Sequence, residues 1–338
     1  MTEKRTTIDL IAGQQIELRS PRGTRVSYPL GSKTNPKAVL VRDLGTWVEP
    51  VPPEPPPTPE PEPEPVPPTP PTTPPVNLQE AINDSSAGST LVLSGATYTG
   101  SYRVTKPLII VGGTFSRGAA AGSGHALHVT SDDVTIRAAR IKGGGNGIWA
   151  ESADGVTNGF LAEDNVIEDV GYSGIMVISG KDCIIRRNTV RRIGLPYVES
   201  YHNNAYGISA SRYAGYPPST DILIAENIIE DHYLWQALDT HDGVRVRFEG
   251  NTIRRCRRAI FITYANSSPT DTRATGNFIE APMSKWPVAG GDVSGISFYK
   301  ATGGIATGNT IKGMPSPDRA VRDLGGSTGL VLSPNTIG

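Results

Sequence analysis

From residue 77 to the end of the chain, apolar residues come in short bursts rather than in helical stripes. Only residues 78–83 space their apolar positions for a short helix. The runs "STLVL", "YRVT" and "PLIIVGG" then read as strands. Beyond them one block returns seven times: "EDNVIEDV", "RRNTVRRI", "AENIIEDH", "EGNTIRRC", "TGNFIEAP", "TGNTIKGM" and "SPNTIG". Its asparagines are 165, 188, 227, 251, 277, 309 and 335, spaced by 23, 39, 24, 26, 32 and 26 residues. An aliphatic residue stands two places after each: Ile167, Val190, Ile229, Ile253, Ile279, Ile311 and Ile337. A base period near 24 with longer insertions predicts one turn of a solenoid per block.

A second family of blocks lies between the first: "GIWAE" (from 147), "GIMVI" (174), "GISAS" (207), "ALDTH" (237), "AIFIT" (259), "GISFY" (295) and "AVRDL" (320). Position two is always Ile, Leu or Val. Alternation along a strand points position two inward and positions three and five outward.

The charges test the stacking. Three places after each asparagine, with Lys142 from "RAARIKGG" aligned ahead, the column reads Lys142, Glu168, Arg191, Glu230, Arg254, Glu280, Lys312. The sign alternates at every step. The next column, Asp169, Arg192, Asp231, Arg255, alternates too. Coils stacked about 4.8 Å apart make these residues vertical neighbours, and opposite charges then attract.

Ahead of the repeats, residues 50–75 hold sixteen prolines in 26 positions. Proline fixes φ and lacks an N–H, so this stretch predicts a polyproline II spacer of roughly 80 Å. The glutamates at 54, 60, 62 and 64 extend it by repulsion. A docking ligand for a proline-binding domain is the alternative. Residues 1–49 alternate apolar and polar residues in "TTIDLIA", "QQIELRS", "TRVSYPL" and "KAVLVRDL" and predict a small β module. So few residues bury little core, which predicts association with itself or a larger assembly. The expected domains are therefore 1–49, 50–76 and 77–338.

Net charge is -1, with no basic excess to neutralise phosphates, so nucleic acid is not an expected partner. No apolar run is long enough for a signal peptide or a membrane span, so the expectation is synthesis and retention in a cytosol, with no membrane partner. Cys183 and Cys256 stand far apart and read as buried thiols.

On the repeat blocks and on the opening "LQEAI…AGSTLVLSGATYTG…VTKPLIIVGG", residues 77–338 resemble the right-handed parallel β-helix of the pectate-lyase-like superfamily. The fold class implied is all-β. That fold hosts lyases, hydrolases, adhesins and structural proteins, so function has to be argued from the site. With the small module and the stiff spacer, the layout resembles a bacteriophage tailspike, tail fibre or minor tail protein. The resemblance implies a virion location, an N-terminal module docked on tail or baseplate proteins, a homotrimer, and a β-helix that meets host surface polysaccharide. The last block, "SPNTIG", has no amphipathic helix after it, and the open coil is expected to need a covering partner or an irregular end.

"WQALDTHDG" (235–243) is the densest chemistry on the chain. The strand register puts Asp239 and His241 outward together. The expected glycan-binding residues around them are Trp149, Ser209, Arg212, Trp235, Phe261, Tyr264, Tyr299 and His202. Aromatic rings stack on sugar faces while polar groups hold hydroxyls. "GLPYVESYHNNAYG" (194–207) and "DHYLWQ" (231–236) are expected as walls, bringing Glu199, His202 and His232. Receptor binding without catalysis is the leading reading. The alternative is a depolymerase, a glycoside hydrolase ahead of a lyase, with Asp239, Asp242 and Glu199 as acid and base and His241 tuning a carboxylate. In the lyase variant His241 or Arg212 takes a proton α to a uronate carboxylate. A solvated turn closed by Asp242-Gly243 is the structural alternative. Two alternating ligands do not make a metal site, and no cofactor is expected. The N-x-D and G-H-G blocks of pectinase-like hydrolases are missing around Asp239; Asp132-Asp133 lies in a remote coil.

Overall fold

The computed structural model describes residues 77–117, 124–194, 204–232, 234–281 and 293–338, together with the backbone of Ile16–Arg19 and Arg25–Tyr28. The chain forms two compact units, Met1–Pro68 and Thr69–Gly338. In the first, Ile16–Arg19 pairs antiparallel with Arg25–Tyr28, Ile16 opposite Tyr28. The expected proline spacer lies outside the described residues.

The second unit opens with the helix Leu78–Asp84. The Asn77 side chain caps it by accepting the Glu80 N–H (3.2 Å), and Leu78 and Ile82 are buried. From there the chain coils, with parallel pairing throughout. One full turn runs Ile184–Arg186, Thr189–Arg191, Tyr206–Ser211, and returns at Leu223–Ala225 directly over Ile184–Arg186. The first two strands of each turn belong to a 17-stranded sheet and the third to a nine-stranded one. The central residue of each strand faces the interior: Ile185, Val190 and Ile208 are fully buried, as are their counterparts above and below. This is a parallel β-helix, as the repeat predicts.

The repeating asparagine sits at the corner between the first two strands. The residue before it takes a left-handed turn conformation, as at Asp164 (φ 58), Arg187 (φ 54) and Gly250 (φ 61). The asparagine side chain then turns inward and bonds to the next coil. Asn188 donates its backbone N–H (2.9 Å) and its side-chain amide (3.0 Å) to Asn227 Oδ1, and the same amide donates to the Ala162 carbonyl (2.9 Å). Asn165, Asn227, Asn251, Asn277 and Asn309 repeat the pattern up to Asn335. The ladder satisfies corner peptide groups that the sheet leaves unpaired, and each would cost about 1–3 kcal/mol as a buried orphan.

The charge columns stack as expected. Glu168 lies between Lys142 and Arg191, and Arg191, Glu230, Arg254, Glu280 and Lys312 follow in register. Arg191 pairs with Glu168 (2.7 Å), and Arg192 with Asp169 (2.6 Å) and Glu168 (2.8 Å). The Arg192 guanidinium outweighs partial burial and holds Asp169 below the usual carboxylate range. These pairs are half-exposed, so each contributes only tenths of a kcal/mol to about 1 kcal/mol.

The nine-stranded sheet departs from simple alternation. Ile148, Ile175, Ile208, Leu238, Ile260 and Ile296 point inward as expected. The small residue ahead of them does not point freely outward. A Cβ on Gly174 would meet the Gly207 carbonyl and the Val190 side chain. Pairing therefore steps from Ser173↔Tyr206 directly to Ile175↔Ile208. The residue before the small one consequently joins the outer face. Tyr206 packs there with Trp149, Met176 and Ile178 in an apolar cluster separate from the core.

Cys183 and Cys256 are free and buried, and burial pushes both thiols up to about 12. Among the described residues no helix is long and apolar enough to cross a membrane.

Candidate glycan-binding face

Stacking delivers the quoted segment to the outer face of the nine-stranded sheet. Asp239 lies between Ser209 and Phe261, and His241 lies beside Thr263. Asp239 is fully buried, not open as the alternation predicts. Its Oδ2 accepts from Ser209 Oγ (2.9 Å) and lies 3.2 Å from His241 Nδ1, while its Oδ1 has no partner. Loss of water raises the Asp239 pKa; His241 and Ser209 oppose this without overcoming it. His241 Nδ1 also meets Ser211 Oγ at 3.2 Å. The other ring nitrogen, Nε2, has no partner among the described residues and is not buried, and the side chain is 23% exposed. Tyr206 stands edge-on to the ring, with centroids 6.0 Å apart.

Asp242 follows in a left-handed conformation (φ 63) and its carboxylate is sealed in. It accepts from Arg212 Nε (2.8 Å) and from the backbone N–H groups of Ala265 (2.6 Å) and Asn266 (2.9 Å). Burial alone would raise its pKa, and these donors outweigh it and hold the group below the usual range. Arg212 also donates to the Tyr216 carbonyl (2.9 Å) and Ser267 Oγ (3.1 Å). The pair fastens three loops together, so Asp242 does close a turn, but a sealed one and not the solvated turn of the structural alternative, because its donors replace water.

What does face solvent is aromatic. Tyr264 is 37% exposed, and Lys300 Nζ lies 4.6 Å from its ring centre and 5.2 Å from that of Tyr299. Tyr299 is in register with Thr263 and so sits two coils above His241. On the other side of His241, Tyr213 and Tyr216 are exposed and meet edge to face at 5.9 Å.

The model described as the right handed beta helix region matches residues 109–337. The chain belongs to this family. No curated protein matches the chain. Among solved structures, an alginate lyase from Paenibacillus sp. str. FPU-7 shares 17% identity over 77% of this chain and 94% of its own, with a TM-score of 0.55. A DFA-IIIase from Arthrobacter chlorophenolicus A6 shares 14% over 76% of this chain and 62% of its own (TM-score 0.49). A tailspike protein of E. coli bacteriophage HK620 shares 14% over 77% and 62% (TM-score 0.45). The likeness to the alginate lyase speaks for the fold alone.

Within this β-helix, the other expected contact residues divide by exposure. Trp149, Ser209 and Phe261 lie on the predicted face, but neighbours cover them, and they are at most 8% exposed. Trp149 donates its indole N–H to Glu151 (2.9 Å). Trp235 is half-buried, with the Arg258 guanidinium 4.2 Å from its ring centre. His232 is no wall: it is fully buried, and its Nε2 bonds to the Ala205 carbonyl (3.0 Å). Glu199 and His202 lie outside the described residues. Tyr213 and Tyr216 were not anticipated, although two tyrosines bracketing a Gly-containing turn in "RYAGYPP" carry the signal. No group of three or more acidic, His or Cys side chains arranged to hold a metal occurs among the described residues.

Proposed function

We propose that this β-helix recognises a host-surface polysaccharide, as part of a bacteriophage tail. The observation that carries the reading is the series of exposed Tyr213, Tyr216 and Tyr264 and half-buried Tyr299 flanking the polar His241, with Lys300 at one end. Coils rise about 4.8 Å each, close to the length of one sugar unit, so rings on successive coils suit a chain lying along the axis. Aromatic faces then cover pyranose rings while polar groups take hydroxyls. The virion location rests on sequence organisation: a small β module, a proline-glutamate spacer and a β-helix in that order. In this reading the module docks on tail or baseplate proteins and the assembly is a homotrimer. Binding of the full chain to a panel of bacterial capsular and cell-wall polysaccharides tests the recognition. At least one should bind, and Tyr264→Ala should weaken it about tenfold. Binding to none, or binding unchanged in that variant, would refute it. Light scattering should give the mass of three chains.

One observation favours a second reading, cleavage of the same glycan. Asp239 is out of solvent and touches His241 through Nδ1, leaving Nε2 open. This suits a proton acceptor oriented by a buried carboxylate better than a pair of solvent-facing carboxylates. Asp242, fully bonded and buried, takes no part in it. Cleavage would release new reducing ends from the bound polysaccharide and would be lost in His241→Ala with binding retained. Binding without new ends leaves recognition alone.

A further inference from the structure

On the first coils of the same outer face stands a second polar cluster that neither reading uses. His125 and His128 lie with ring centres 4.6 Å apart, and Trp149 lies 4.9 Å from His125. The register stacks His125 under Asn146 and His128 between Arg103 and Trp149. Arg117 reaches in from the preceding turn. Its stem lies over Gly144 and its guanidinium against Gly124, and a Cβ on either glycine would collide with it. Both glycines have positive φ, so the slot is kept open by residues that also suit the turns.

The polar atoms of this cluster are not satisfied. Arg117 Nη1, His125 Nδ1, His128 Nε2 and Asn146 Oδ1 are all buried and all without a hydrogen-bond partner. A guanidinium nitrogen removed from water without an acceptor is among the costliest of such arrangements. The acid facing the cluster is Glu151, which already accepts the Trp149 indole and interacts with His128. On the other side stand the cations Arg103, beside His128, and Arg117, beside His125. The chain between Arg117 and Gly124 reads Gly-Ala-Ala-Ala-Gly-Ser and offers no acidic side chain. With the Asn146 amide turned so that its nitrogen faces in, the cluster is rich in donors and short of an acceptor.

We propose that Arg117, His125 and His128 bind an oxyanion, a carboxylate or phosphate group that accepts from the guanidinium and the two imidazoles. Planar, forked Arg donors and ring N–H groups match the lone pairs of such a group. Asn146 can join by presenting its amide nitrogen, since the two ends of that side chain are alike in shape. The imidazoles are neutral at physiological pH: burial lowers His125 to about 4, with His128 and Arg117 adding to it, and lowers His128 with help from Arg103. Adding a negative charge favours their protonation, so affinity should rise as pH falls. The site lies about four coils, roughly 19 Å, from His241. A sugar carboxylate on a bound glycan and a free phosphate are the two sources of the same chemistry.

Calorimetric titration of the full chain with inorganic phosphate and, separately, with glucuronate at matched ionic strength decides between them. Binding of either supports the site, and the ligand that binds identifies the source. The interaction should weaken about tenfold or more in Arg117→Gln and in His128→Gln, each checked for native circular dichroism. Glucuronate, which stays ionised throughout, should bind about tenfold more tightly at pH 5 than at pH 8. No binding of either anion to the unaltered chain, or equal binding in both folded variants, would overturn the proposal. Because glucuronate and phosphate are tested without polysaccharide, failure here leaves the glycan reading untouched.

Discussion

At the corner of seven successive coils stands the same residue, asparagine. Over the same height, the outer face of the nine-stranded sheet carries Trp149, Met176, Ser209, Asp239, Phe261 and Ser297. The corner needs one solution to one problem, a turn whose peptide groups would otherwise be orphaned, and repeats it. The outer face has no such demand from the backbone, because the sheet satisfies it. Its residues are free to differ from coil to coil, and they leave atoms such as Asp239 Oδ1 and His128 Nε2 without partners. In a solenoid, then, repetition marks what holds the coil, and departure from it marks where to look for a ligand.

If that division is right, damage at the corner should cost most. Asn227→Leu removes the acceptor of the Asn188 N–H and amide and the donor to the Ile185 carbonyl. Several buried orphans at about 1–3 kcal/mol each should lower unfolding free energy by about 4 kcal/mol in denaturant titration.

Acid comes next. His232 is fully buried and neutral, and loss of water lowers it from 6.5 to about 4 although the Ala205 carbonyl favours its charged form. Below pH 6.5 the unfolded chain takes up a proton that the folded chain refuses. His232 should therefore add no pH dependence above that pH and cost on the order of 3 kcal/mol as pH drops from 6.5 to 4, and His125, also lowered to about 4, adds its own loss over the same range. His232→Gln keeps a donor for Ala205 and should remove the His232 share of that loss, leaving the His125 share in place.

The charge columns should give a smaller effect. Arg191→Glu places three acids in a vertical row with Glu168 and Glu230. It should cost about 1 kcal/mol in low salt and less in high salt, because the site is half-exposed. Smallest of all for the fold is Asp239→Asn. The carboxylate is raised by burial, so its charged form works against folding at neutral pH and not below its unfolded pKa. The variant should be equal to or slightly above the parent in stability, within about 1 kcal/mol at pH 7, and indistinguishable from it in strong acid. Any cleavage of glycan should nonetheless fall, because His241 Nδ1 loses the carboxyl group that orients it.

The fold was legible because its cause is periodic. The asparagine spacing sets the coil, and the sign alternation from Lys142 to Lys312 sets the register. The candidate face was legible only in part. Counting alternation outward from Leu238 put Asp239 on the correct side but not under cover. Burial there depends on neighbours on the adjacent coil, such as Tyr206, and on the skipped small residue at Gly147, Gly174 and Gly207, whose cause is a carbonyl on the next coil. Asp242 looked like chemistry because Asp and His were adjacent. Its partners, Arg212 and the Ala265 and Asn266 amides, come from 30 and 23–24 residues away. The Arg117–His125–His128 cluster was invisible for the same reason: no repeat position links an arginine in a turn to two histidines in a strand.

Amide hydrogen exchange of the full chain, with and without a bound polysaccharide, tests the division of labour most directly. The account predicts added protection in Tyr206–Ser211, Gln236–His241, Arg258–Thr263 and Ser294–Tyr299 and the loops that follow them, with the asparagine corners unchanged. Protection centred on the corners from Asn165 to Asn309, with the nine-stranded face unchanged, would contradict it.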